Sequence, residues 1–202
     1  VDVSKAVASS AFSVFSGAVA RGGSVKGICL SGGAARSRKQ IDAMTDRVKT
    51  YGAKGLAYAK VTTEGWTGPI AKFFDADAQT ALTEALGGAV GDLLLFVADS
   101  TRVANTALGQ LRLSLGGELG LRPKDEFRFC WVTDFPLFEA VELEDGTTAW
   151  ASSHHPFTAP HPDHIDSMES DPGNASSLAY DLVLNGSELG SGSIRIHDAA
   201  TQ

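Results

Sequence analysis

Between Val25 and Leu115 the chain alternates three times between a short apolar run and a stripe of apolar residues at helical spacing. Val25–Leu30, Leu56–Val61 and Asp92–Ala98 are the runs, each the length of a buried strand. Ile41, Met44, Val48 and Tyr51 form the first stripe, Asp75–Leu86 holds the second, and Val103, Ala107, Leu108, Leu111 and Leu115 form the third. Each element can bury one face only against another layer, so this order predicts a small layered α/β or α+β domain. Local signals agree with the periods. Ser37-Arg-Lys-Gln40 has capping-box spacing, in which the serine hydroxyl and glutamine amide satisfy free backbone N–H groups. Gly52 and Gly87-Gly88 are natural helix stops.

Gly116-Gly117 to Pro123 reads as punctuation, after which the pattern becomes sheet-like. Phe127–Trp131 alternates, as do Tyr180–Leu184 and Ile194–His197, which points to antiparallel pairing. The overall expectation is an α+β chain in two parts, residues 1–117 and 118–202. Charge divides at the same place: the first part carries 13 Lys/Arg against 9 Asp/Glu, and the second 4 against 15 together with all five histidines. A hydrophobic content of 43% with no long apolar run fits a soluble protein rather than a membrane span. Cys29 and Cys130 both lie in apolar runs and read as small buried thiols of a cytoplasmic protein. The chain opens on Val1 and stops just after a dense polar motif, from which a piece of a larger protein is expected.

The residues able to carry chemistry lie in the second part. Gly190-Ser-Gly192-Ser-Ile-Arg195 combines small residues, beside which a ligand can approach closely, with a guanidinium that can grip a carboxylate or phosphate. A bulged edge strand ending in a surface arginine reads equally well. Asp181 and Glu188 flank the hairpin signal Asn185-Gly186, which places two carboxylates on adjacent strands. They could hold Mg²⁺ beside a nucleotide's phosphates, or be two solvated acids. Strict alternation puts Glu188 and Arg195, seven apart, on opposite faces. They share a site only if the Gly-Ser-Gly region bulges. His154, His155, His161 and His164 match no strong zinc spacing. Binding of an anionic substrate by His154 or His155 suits them better. The loop His155–Asn174 is about the length at which a loop is functional or unstructured.

Taken together, WVTDFPLFE (131–139), HHPFTAP (154–160), AYDLVLNG (179–186) and ELGSGSIRIH (188–197) resemble the bacterial-type aspartyl-tRNA synthetases, a class II family. LSGGAARSRKQID (30–42), YGAKGLAYAKV (51–61) and LGQLRLSLGGELGL (108–121) resemble that family's inserted GAD domain. The resemblance implies a GAD-type domain over 1–117 and part of the antiparallel catalytic sheet over 118–202. It implies that His154, with His155 beside it, and Arg195 bind the substrate aspartate. Asp181 and Glu188 would serve ATP and its Mg²⁺, with Gly190 and Gly192 leaving room beside the substrates. The partners implied are aspartate, ATP and tRNA, in a cytoplasmic homodimer without membrane attachment. The family usually has Gly-Gly-Gly where this chain has Gly190-Ser191-Gly192, and commonly a larger residue at Ser187. The anticodon-binding barrel and the arginine-bearing ATP motifs are expected outside this stretch, so the chain alone is expected to be inactive. Two rival readings are a GAD-type module of a tRNA-dependent amidotransferase and a metal-dependent hydrolase using the His/Asp-rich loop.

Overall fold

A computed structural model describes residues 1–123 and 125–202. It divides into two compact units, Val1–Pro123 and Lys124–Gln202.

In the first unit, α1 (Ser4–Val7) and α2 (Ser13–Ala20) precede β1 (Ser24–Leu30), α3 (Arg38–Thr50), β2 (Ala57–Thr62), β3 (Gly65–Thr67), α4 (Ala76–Ala85), β4 (Leu93–Asp99) and α5 (Thr101–Glu118). The four strands form an antiparallel sheet in the order β1-β4-β2-β3. The last strand in sequence therefore lies between the first two, and both its faces are covered. Leu94 and Phe96 belong to the core cluster with Phe15, Trp66, Phe74 and Leu82, on the side of α2 and α4. Leu93, Leu95 and Val97 belong to the cluster with Ile41, Val48, Leu108 and Leu111, on the side of α3 and α5. That double burial explains why DLLLFVA reads as an unbroken apolar run although its neighbours are antiparallel. Phe96 fits because its cross-strand partner is Gly27. A Cβ there would meet the Phe96 ring at 2.8 Å. Truncating such a fully buried ring costs about 3–5 kcal/mol.

The helix starts follow the sequence. Ser37 and Gln40 form the full capping box, and the Asp75 carboxylate accepts from the Ala78 amide at 2.9 Å. The end of α5 differs from expectation. The helix runs through Gly116-Gly117 to Glu118 and stops at Gly120, whose φ is 67°. The Leu121 amide bonds back to Gly116 O at 2.9 Å, a Schellman-type closure that needs the left-handed residue at 120. Glu118 pairs with Arg36, which ties the last turn to the loop before α3.

In the second unit, β5 (Phe129–Val132), β8 (Ala179–Leu184) and β9 (Ser187–Ser193) form an antiparallel sheet in the order β5-β8-β9. A separate hairpin joins β6 (Phe138–Glu142) to β7 (Thr148–Ser152). The expected strand at Ile194–His197 is replaced by a single bridge, Arg195 with Thr158. The long loop before β8 is ordered by backbone bonds, Leu137 N to Ala175 O at 2.8 Å and Ser177 N to Phe135 O at 2.7 Å among them. Leu137, Thr158, Ala175, Ser177 and Ala179 are buried, but Phe129 and Trp131 stay 61% and 62% exposed. Cys130 is exposed as well, contrary to the buried-thiol expectation, because no α-helix among the described residues of this unit covers the sheet. No helix among the described residues is long and apolar enough to cross a membrane.

Candidate active site

The site is built on the β8–β9 hairpin. Asn185 and Gly186 both take positive φ, 50° and 86°, the geometry of a type I′ turn. The Asn185 side chain accepts from Arg128 N at 2.9 Å and donates to Glu126 O at 2.8 Å, which fastens the turn to the chain entering β5.

Beyond the turn, Leu184 pairs with Ser187 and Val183 with Glu188, but Leu182 pairs with Gly190. Leu189 is thus an extra residue, a bulge that shifts the alternation by one. From there Asp181 faces Ser191 and Ala179 faces Ser193. Directly opposed residues share a face, so Asp181, Glu188, Ser191 and Ser193 all project to one side, and Arg195 keeps the phase of 191 and 193. The bulge needed to bring Glu188 and Arg195 together is present. It lies at Leu189, one residue before the Gly-Ser-Gly stretch rather than within it.

His154, His155, Thr158, Asp181, Glu188 and Arg195 line one concavity of about 380 Å³. His154 stacks edge-on against Phe135 with centroids 5.0 Å apart. His155 is turned by its own backbone: its Nδ1 accepts from Phe157 N at 3.1 Å and its carbonyl from Thr158 N at 2.9 Å. Among the described residues, Asp181, Glu188 and Arg195 form no ion pair with one another or with other side chains. Their charges are therefore available to a ligand. Two carboxylates, a guanidinium and two imidazoles line the concavity, so it can receive a cation-bearing anion and a second carboxylate together.

The two glycines differ. The backbone of Gly192 borders the concavity, but a Cβ there would point to the other face and meet the Tyr180 hydroxyl at 2.7 Å and its ring at 2.8–3.0 Å. Its small size makes room for Tyr180, which packs edge-on against Trp131 at 5.8 Å. Gly190 lies outside the concavity, with open space where its side chain would be. His161 and His164 are also outside it. The Nδ1 of His164 accepts from Ser176 N at 3.0 Å, and that of His161 accepts from Asp163 N at 3.3 Å, so both brace the loop. Sequence reasoning passed over Thr158 and Ser193. The spacing of 191, 193 and 195 on one face was the available signal.

Residues 15–108 match the GAD domain. The whole chain is 52% identical to the aspartate–tRNA(Asp/Asn) ligase of Geotalea uraniireducens and 52% identical to the aspartate–tRNA ligase of Bacillus licheniformis. It is 47% identical to the aspartate–tRNA ligase of Lactiplantibacillus plantarum. In each case all of this chain is covered and 34% of the relative. The chain thus spans about a third of the length of the curated relatives it matches. Residues 15–108 thus carry the likeness to a GAD domain, and the chain as a whole is similar to about a third of the length of bacterial aspartate–tRNA ligases.

Proposed function

We propose that this chain supplies the aspartate grip and the metal-facing carboxylates of an aspartate–tRNA ligase. The reaction of the longer protein would join an aspartate carboxylate oxygen to the α-phosphorus of ATP, releasing pyrophosphate, and then pass the aspartyl group to tRNA. The observation that carries the reading is the Leu189 bulge, which turns Glu188 to the face of Asp181 and Arg195.

Arg195 offers five N–H donors in a planar fork, suited to both oxygens of the aspartate side chain. Asparagine would present an amide N–H₂ to those donors and leave one unpaired, which is how a site built on such a grip rejects the isostere. His154 and His155 line the same concavity, which supports a ring N–H donating to the same substrate. Asp181 and Glu188 fit Mg²⁺ carried by ATP rather than a resident ion. Among the described residues no three His, Cys, Asp or Glu side chains converge as a metal cage. Magnesium commonly takes one or two protein carboxylates and completes its shell with water and phosphate oxygens. When bound, it would offset phosphate charge. The homodimer and the cytoplasmic setting rest on the resemblance alone.

Since the chain spans a third of its relatives, the complete reaction belongs to the longer protein, and the chain by itself should show no aspartate-dependent ATP–pyrophosphate exchange. In the intact ligase, Glu188→Gln should raise the Mg²⁺ concentration for half-maximal exchange on the order of tenfold while the KM for aspartate stays within about twofold. An unchanged Mg²⁺ requirement would remove Glu188 from the proposed role.

A further inference from the structure

Arg195 is not held by the sheet that delivers it. After Ser193 the chain leaves β8: Ile194 N still bonds Leu178 O at 3.0 Å, but Ile194 O accepts from Ala159 N at 2.8 Å and Ile196 N donates to Phe157 O at 2.9 Å. Arg195 itself bridges Thr158. The backbone that carries Arg195 is therefore paired with residues 157–159, the strip that follows closely on His154 and His155. Thr158 sits at the centre of that strip, 3% exposed, although it is polar. Its hydroxyl donates to Ser193 Oγ at 3.2 Å, across 35 residues of sequence. Ser193 precedes Arg195 by two and lies on the same face.

Resting on the assignment of Arg195 to aspartate, we infer that the Thr158–Ser193 hydroxyl contact is a clip that fixes the spacing between the histidine pair and Arg195. Thr158 is a positioning residue for aspartate. Backbone bonds seat strip 157–159 beside the start of β8, Leu178 N to Ala159 O at 2.9 Å among them, and the hydroxyl contact adds a direct side-chain tie to β9. The hydroxyl pair, Thr158 buried and Ser193 half-buried, links that strip to the last residue of β9 through side chains. A hydroxyl carries one hydrogen and two lone pairs. Ser193, in accepting from Thr158, keeps its own hydrogen for a ligand oxygen beside Arg195. Removal of the Ser193 hydroxyl orphans the buried Thr158 hydroxyl, and removal of the Thr158 hydroxyl leaves half-buried Ser193 unanchored, either loss being worth a factor on the order of ten.

The test is steady-state ATP–pyrophosphate exchange in the intact ligase carrying this stretch, with Thr158→Val, Thr158→Ser, Ser193→Ala, the Thr158→Val/Ser193→Ala double variant and Arg195→Ala. The clip predicts that Thr158→Val raises the KM for aspartate about tenfold and leaves the KM for ATP within about twofold. Thr158→Ser should stay near the parent, and the double variant should be no worse than the poorer single one, as partners in one contact behave. The Ser193→Ala arm reads the same contact should Thr158→Val fold poorly. Parent-like aspartate kinetics in Thr158→Val and Ser193→Ala, alongside a weakened Arg195→Ala, would overturn the clip and leave the site reading standing. Equal losses for both substrates would overturn it too, by reducing Thr158 to packing. An Arg195→Ala variant with unaltered aspartate KM would overturn the site reading itself.

Discussion

Asp92 is 8% exposed and ties strand β1 and the loop after it to the loop between α4 and β4. Its carboxylate accepts from Gly32 N at 2.8 Å, Ala89 N at 2.9 Å and the Cys29 thiol at 3.4 Å. Replacing it by alanine removes two charge-assisted backbone bonds. Each would be worth about 1.5–3 kcal/mol if both ends were sealed from water. Gly32 and Ala89 are themselves exposed, so water replaces part of each bond, and a net of about 1 kcal/mol apiece is the better figure. Asp92→Ala should therefore cost about 2 kcal/mol, or on the order of a 1 M fall in the urea midpoint. Trp66 is the convenient reporter: it is the one tryptophan of this unit, buried, with its indole N–H on Thr83 Oγ1 at 2.8 Å. The backbone bonds from Gly32 and Ala89 hold the Asp92 carboxyl below its usual range, against the opposing effect of burial. A depressed carboxyl stabilises the fold above the unfolded-state pKa of about 3.9, and that stabilisation is lost as pH falls through the folded-state value. The gap between parent and Asp92→Ala should accordingly shrink on acidification below about pH 4. A loss below about 0.5 kcal/mol at neutral pH, or a gap that widens in acid, would refute the reasoning.

The two thiols should part under alkylation. Burial, then the hydrogen bond and charge of Asp92, push Cys29 up to about 11, while Cys130 is exposed. Iodoacetamide at pH 8, followed by peptide mass mapping, should modify Cys130 at least about tenfold faster than Cys29; comparable rates would contradict this. The glycines of β9 should part as well. Gly192→Ala forces a methyl into the Tyr180 ring and should destabilise the β8–β9 hairpin by about 1–3 kcal/mol, seen as faster amide exchange there. Gly190→Ala meets open space and should stay within about 0.5 kcal/mol of the parent; equal behaviour of the two would remove the packing role given to Gly192.

The first unit was readable because its signals are local and redundant. Period, caps and glycine stops all mark the same boundaries, and Ser37, Asp75 and Gly87 act where their residue types suggest. The end of α5 was misplaced because Gly116-Gly117 lie on the helix while Leu115 still packs in the core; the αL stop at Gly120 decides the boundary. In the second unit the β6–β7 hairpin was not foreseen, although Asp145-Gly146 is a turn signal, because its strands are short and largely exposed. The site was legible as a set of residues but not as a geometry. Alternation alone placed Glu188 opposite Arg195, and the position of a bulge depends on cross-strand pairing that one strand's sequence does not encode. For the same reason Gly192 read as space for a ligand, when its neighbour across the ladder is Tyr180.

The most direct test of the central claim is aspartate-dependent ATP–pyrophosphate exchange by the intact ligase with Arg195→Ala. Loss of a bidentate charge-assisted grip, about 3 kcal/mol or more, predicts a KM for aspartate raised at least on the order of a hundredfold, with the KM for ATP changed by less than about threefold. An equal loss for aspartate and ATP, or none for either, would contradict the assignment of this face to the amino acid.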